Sequence, residues 1–199
     1  MMRSLYWFTI VLFLAGCAGQ GPAPTDHYYR LPAVTAASSH EPLTEGVIFV
    51  EQLIADGIYR ERAMLYAGDP PALELNQYHY QHWIDTPSRL IRDHMIDYLR
   101  AANSAPQVVY VADVPAELSI FGRIRQFERQ SGKDGNTVAV NLEFRVNSKY
   151  SELPVLIKEY PRQVDLKDIS MSGSVDAFAS ALTSIYDELI EDIREQLKK

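Results

Sequence analysis

The hydrophobic positions of this chain fall into short extended stretches in its first three quarters and into helical stripes in two places. Residues 47–54 are apolar on both sides of an extended backbone, which predicts a central strand. After Asp56-Gly57, residues 58–66 alternate, with Ile58, Arg60, Arg62 and Met64 on one side and Tyr59, Glu61, Ala63 and Leu65 on the other. Gly68-Asp69-Pro70-Pro71 then leads into residues 73–80, a third strand rich in aromatics at its end. Three strands joined by tight connections predict an antiparallel meander. The cleanest alternation lies at 137–147, where Val138, Val140, Leu142, Phe144 and Val146 share one face. Its partner, 117–130, keeps Leu118, Ile120 and Ile124 in phase and sets Phe127 out of phase, so a long hairpin with a bulge near Arg125 is expected. Shorter strands are expected at 28–32, where Pro32 ends an edge, at 108–111, and at 154–164, an edge strand because Pro161 lies inside it.

The helical stripes are as distinct. Thr86-Pro87 supplies an N-cap and a first-position proline, and Leu90, Ile91, Met95, Tyr98 and Leu99 follow on one face. Ser174 is the expected cap of a final helix over 175–198, whose stripe is Phe178, Leu182, Ile185, Leu189, Ile193 and Leu197. Asp176 comes early and Lys198-Lys199 late, as the helix dipole prefers. The predicted fold is α+β: a mostly antiparallel sheet with two amphipathic helices packed on one face, a two-layer sandwich.

The first residues have a different pattern. Arg3 precedes an apolar run, 5–14, broken only by Thr9, and Leu14-Ala15-Gly16-Cys17 follows with the single cysteine of the chain. A basic start, a short apolar run and small residues form a secretory signal, and the run is shorter than the roughly 20 residues a membrane span needs. The tetrad resembles the lipobox of bacterial lipoproteins, in which the cysteine is acylated and the signal is cut before it. An ordinary secreted protein with a chance cysteine is the other reading, and in it an unpaired thiol is a liability. The expected layout is a signal at 1–16, lipidated Cys17 with a Gly/Pro-rich tether to residue 27, and one domain at 28–199. Ala18 stands where an aspartate would resemble an inner-membrane retention signal, so the outer membrane of a Gram-negative bacterium, facing the periplasm, is the expected location. The charge is mildly acidic, −7, which argues against nucleic acid as a partner. No block of like charge stands out.

Taken together, several stretches are similar to the ABC-type transport auxiliary lipoproteins, the PqiC-like family. They are the lipobox; Tyr28-Tyr29-Arg30-Leu31-Pro32; Gly57-Ile58-Tyr59-Arg60-Glu61-Arg62 with Met64-Leu65-Tyr66; and Tyr78-His79-Tyr80-Gln81-His82-Trp83 before Asp85-Thr86-Pro87. The hairpin with Phe127-Glu128 and the terminal amphipathic helix complete the resemblance. It implies an envelope lipoprotein that works with a periplasmic MCE-domain protein, an ABC permease and an ATPase, in a system moving phospholipid or hydrophobic compounds between membranes. His79, His82 and the loop 33–46 lie outside the resemblance.

No catalytic motif is legible: the chain has no G-x-S-x-G, P-loop, G-x-G-x-x-G or H-E-x-x-H. An accessory binding protein rather than an enzyme is expected, with no cofactor beyond the lipid on Cys17. His79, His82 and Asp85 are too awkwardly spaced on a strand to make a metal site without a break, and no metal is expected. The aromatic and basic cluster Tyr59, Arg60, Arg62, Tyr78, Tyr80 and Trp83 has two readings. Trp83 and the tyrosines can pack the helix on the sheet, or the cluster can form a contact surface for the partner protein. A ring-like homo-oligomer would suit a collar around a conduit. A lipoprotein that assembles or plugs an outer-membrane complex, such as the lipopolysaccharide translocon, is the rival reading.

Overall fold

A computed structural model describes residues 23–34, 41–68, 73–132 and 135–198. The lipobox, Cys17 and the first part of the tether lie outside the described residues, as do parts of the 33–46 loop, the 68–71 connection and the hairpin tip. The strands are β1 (His27–Tyr29), β2 (Val47–Val50), β3 (Ile54–Ala55), β4 (Ala63–Ala67), β5 (Leu75–Trp83), β6 (Gln107–Val109), β7 (Leu118–Gly132), β8 (Gly135–Ser148) and β9 (Leu156–Asp165). The helices are α1 (Pro87–Ala101) and α2 (Met171–Leu197). Among the described residues no helix is long and apolar enough to cross a membrane.

The long hairpin forms as its alternation requires. β7 and β8 pair antiparallel from Leu118 opposite Ser148 to Gly132 opposite Gly135, and the register shifts between Ile124 and Gln126, at the expected bulge. β9 pairs antiparallel with β8, Pro161 falling opposite Asn141, and among the described residues its other edge is unpaired. The proline is tolerated because no ladder bond is asked of its nitrogen there.

The antiparallel meander over 47–80 is not what forms, and the sheet is mixed rather than mostly antiparallel. β2, β3 and β4 run parallel to β7, one after another: Ile48 lies opposite Leu118, Ile54 opposite Arg123, and Tyr66 opposite Arg129. β6 lies parallel to β2, and β1 parallel to β5; only β5 turns back antiparallel, on β4. The physical reason lies at Asp56-Gly57. Gly57 takes φ +55° and opens a single 3-10 turn, Gly57–Arg60, instead of a hairpin turn. The chain therefore continues along β7 rather than reversing beside itself.

α1 starts as read, with Thr86 as N-cap and Pro87 in its first turn. α2 starts one turn earlier than expected. Ser170 caps it, its side chain accepting from Gly173 N–H at 3.0 Å, and Asp168 steadies Ser170 through its N–H and hydroxyl. Ser174, the expected cap, is buried inside the helix and donates to the Ser170 carbonyl at 2.9 Å.

One core joins both helices to the sheet. Ile48, Leu142, Phe144, Val146, Leu182 and Ile185 are fully enclosed, and Leu197, the last of the helical stripe, emerges to solvent. Tyr98 donates to Asp187, and Tyr186 donates to the Ile91 carbonyl, so the helices are bolted to each other. Lys158 reaches Glu188 and Asp192 at 2.8 Å each, and Tyr160 donates to Asp192 at 2.7 Å, tying edge strand β9 to α2. Gly122 marks the tightest approach in the sheet. A Cβ there would sit 2.6 Å from Leu53 Cγ and 2.9 Å from the Phe144 ring, both buried and held. Gly122→Ala is expected to destabilise the domain by about 1–3 kcal/mol through overpacking, read as a lower denaturation midpoint with unchanged slope.

Candidate contact surface

The six residues of the aromatic and basic cluster divide by burial. Trp83 closes β5 and is 1% exposed. Its ring lies 5.3 Å from Phe127 and 5.4 Å from Phe178, edge-on to the latter, so it seats α2 on the sheet. No second protein reaches it. Its backbone also fixes a neighbour: Trp83 N–H donates to the Arg62 carbonyl at 2.7 Å, and Arg62 Nε donates back to the Trp83 carbonyl at 3.2 Å.

Tyr59 and Tyr78 are half-buried, with their hydroxyls engaged. Tyr59 donates to Glu128 Oε2 at 2.6 Å; burial and this carboxylate hold its phenol well above the usual range. Glu128 is itself buried and also accepts from the Gln126 side chain at 2.9 Å, so the 3-10 turn is clamped onto β7. Tyr78 accepts from Arg129 Nη1 at 3.1 Å and lies 4.5 Å from the Tyr66 ring. Arg129, buried, donates on to the Ile169 carbonyl at 3.0 Å. This chain of contacts fastens β5 to the segment that leads into α2.

Arg60, Arg62 and Tyr80 remain accessible, Tyr80 at 44%. The fold adds Tyr28, 57% exposed, to them: the Arg62 guanidinium stands 5.3 Å over its ring, and His82 lies 5.6 Å from it on the other strand. His82 Nε2 is 3.6 Å from Asp26. Tyr28 lies in the expected edge strand at 28–32 and His82 just beyond the strand expected at 73–80; their meeting depends on the parallel pairing of β1 with β5, which no local pattern encodes. Among the described residues, no group of three or more His, Cys, Asp or Glu side chains is placed to hold a metal ion.

A second exposed group is set at the far end of β7. The connection 110–117 presents Tyr110, Val111 and Val114, and the connection 149–155 presents Tyr150 and Leu153, each at least 41% exposed. Glu117 holds the two connections together, accepting from Lys149, from Tyr150 at 3.1 Å and from Thr44. These donors hold its carboxyl down at about 2. The strand expected at 108–111 is Gln107–Val109 instead, so Tyr110 and Val111 pass into the exposed connection, where no periodicity marks them.

The first surface lies on the β1–β5 edge, level with the middle of β7, and the second lies at the start of β7. β1 is antiparallel in direction to β7, so the chain before His27 approaches from the hairpin end, and the connections 110–117 and 149–155 lie at the other. On the open face of the sheet a shallow depression of about 510 Å³ is lined by Ile54, Phe121, Arg123, Glu143 and Arg145.

No family model matches the chain, and no curated protein matches it in sequence. Solved structures resemble it in fold. Protein XCC0632 from Xanthomonas campestris, of family DUF330, superposes with a TM-score of 0.74 at 15% identity, over 86% of this chain and 98% of that one. An uncharacterized protein superposes with a TM-score of 0.68 at 13% identity, over 85% of this chain and 99% of the other. The hypothetical protein CT253 from Chlamydia trachomatis gives a TM-score of 0.50 at 8% identity, over 77% and 98%. The chain thus shares the fold of the DUF330 protein across almost the whole of that domain.

Proposed function

We propose that this protein is a lipid-anchored, periplasm-facing lipoprotein of the outer membrane, without catalytic activity of its own. It docks as an accessory component on an MCE-type conduit that carries lipid or other hydrophobic compounds between membranes with an ABC permease and ATPase. The observation that carries this reading is the near-whole-domain likeness to XCC0632, of family DUF330, which is the family of the PqiC-like lipoproteins. The lipobox at Cys17 and the order of the resembling stretches support it independently.

The fold also supports a division of labour. The anchor side enters through β1, and from Cys17 to His27 an extended tether spans only about 33 Å. The end formed by 110–117 and 149–155 therefore faces away from the anchoring bilayer, and its exposed Tyr110, Val111, Val114, Tyr150 and Leu153 are the contact offered to the conduit.

Affinity purification of the lipidated protein from native envelopes, with mass spectrometry of what is retained, tests the reading. An MCE-domain protein should be recovered, and Val111→Asp with Leu153→Asp should reduce its recovery at least tenfold without changing the thermal midpoint. Recovery of an outer-membrane barrel with no MCE-domain protein would instead favour a role in assembling or plugging that barrel.

A further inference from the structure

The chain carries 26 acidic against 19 basic side chains, and most of its surface arginines are matched to carboxylates: Arg89, Arg92, Arg100, Arg123, Arg125, Arg162 and Arg194 all are. Arg145, on β8, bonds Asn147 rather than a carboxylate, and Arg30, Arg60 and Arg62 form a further group. All three are exposed, and none has a carboxylate within ion-pair distance among the described residues. They are far apart in sequence but gather where β1, β5 and the start of β4 meet. Arg62 stands over Tyr28, Arg30 follows Tyr28 by two residues, and Arg60 ends the 3-10 turn two residues before Arg62. Trp83, paired with Tyr29 across β1 and β5, bonds the Arg62 backbone and side chain, so the group is held on rigid strands. Of the neighbouring acids, Asp26 is taken by His82 and by the Tyr28 hydroxyl, and Glu61 lies between the two arginines.

Position decides what this corner meets. It flanks β1, and Tyr28 is eleven residues from Cys17, about 36 Å of fully extended chain. A corner of guanidinium groups without carboxylate partners among the described residues, with exposed tyrosines beside them, is kept by an acylated cysteine within reach of the headgroups of its own membrane. Guanidinium pairs with phosphate in a bidentate fork, and tyrosine settles at the membrane interface with its ring buried and its hydroxyl wet.

We propose that Tyr28, Arg30, Arg60, Arg62 and Tyr80 form a bilayer-facing surface that takes anionic phospholipid headgroups and sets the orientation of the domain on the membrane. This rests on the lipid-anchor reading at Cys17. The anchor fixes distance only; the arginine corner fixes which side of the domain faces down, and so sets how the sheet lies on the membrane.

Trp83 is the sole tryptophan after Cys17 and is buried, so a Tyr28→Trp reporter can be watched in the lipidated protein. The protein is reconstituted in vesicles carrying a headgroup nitroxide lipid, with either about one third phosphatidylglycerol or phosphatidylcholine alone. Reporter emission should fall roughly twofold or more in the anionic vesicles, and should recover in about 0.5 M salt, where the Debye length is only a few ångströms. Arg30→Gln with Arg60→Gln and Arg62→Gln should abolish the quenching, since each arginine contributes about fivefold in affinity for an anionic surface. Equal quenching in both vesicle types would mean mere proximity through the tether and overturn the proposal. So would a triple variant that keeps the quenching but no longer retains its protein partner, because the corner would then belong to that partner. Failure of the vesicles to hold the protein, with an unmodified Cys17 by intact mass, would overturn the anchor reading and this proposal with it.

Discussion

Trp83→Ala is expected to lower the stability of the domain by about 3–5 kcal/mol, the range for removing a fully buried tryptophan or phenylalanine. The indole sits among Phe127 and Phe178, which are themselves 4.4 Å apart, so one ring joins β5, β7 and α2. Nothing nearby can collapse into the space: Phe127 belongs to the hairpin and Phe178 to the helix, and each is fastened by its own element. Urea denaturation should show a lower midpoint with the slope preserved. Tyr80→Ala, on the same strand but 44% exposed, should move stability by no more than about 0.5 kcal/mol. A Trp83→Ala protein with an unchanged midpoint and a lost partner would return Trp83 to the contact surface and refute its placement in the core.

Acid should unfold this protein through His94. The side chain lies on α1, 7% exposed, with its Nδ1 buried and unbonded and its ring 5.8 Å from Tyr186. Burial holds its pKa at about 4, against an opposing pull from Asp97. The folded state accommodates the neutral imidazole, whereas the unfolded chain takes up a proton near 6.5. Between those values the unfolded state binds more protons, so stability is full above about pH 6.5 and declines as the pH falls toward 4. The whole decline is about 3 kcal/mol. Stability measured from pH 7 to pH 5, above the range in which Glu117 and the other paired carboxylates take up protons, should fall in the wild type, and that decline should be largely absent in His94→Leu. An equal decline in both proteins would place the acid sensitivity elsewhere.

The parts of the fold that sequence patterns made legible are those whose signals are local. Thr86-Pro87 marks a helix start by backbone chemistry alone. The phase change at Phe127 marks a bulge because side chains must keep to their faces. Pro161 marks an edge because a missing N–H has no place in a ladder. The direction of β2, β3 and β4 was not legible, because an apolar or alternating stretch looks the same whether its partner runs with it or against it. Asp56-Gly57 carries the composition of a hairpin turn, and only the neighbouring β7 decides that it becomes a step forward. Ser170 and Ser174 are both plausible caps one turn apart; Asp168, by bonding Ser170, settles between them. The candidate surface was half legible for the same reason. Tyr78, Tyr80 and Trp83 lie on β5 with Arg62 bonded to it, whereas Tyr59 is drawn to Glu128 on β7, and the enclosure of Trp83 depends on α2, which arrives from the other end of the chain.

The central place of β7 has a consequence for how the molecule comes into being. Every parallel partner on one of its edges, Ile48, Ile54 and Tyr66 included, is made before the residue it pairs with. A chain produced from its N-terminus therefore carries the apolar segments of β2 and β4 without a template, and closing such distant pairings is slow. β7, β8, β9 and α2, by contrast, are consecutive and can organise locally. Maturation of the domain is thus expected to run against the direction of synthesis: the segment from β7 to α2 assembles first, and the earlier strands are drawn back onto it.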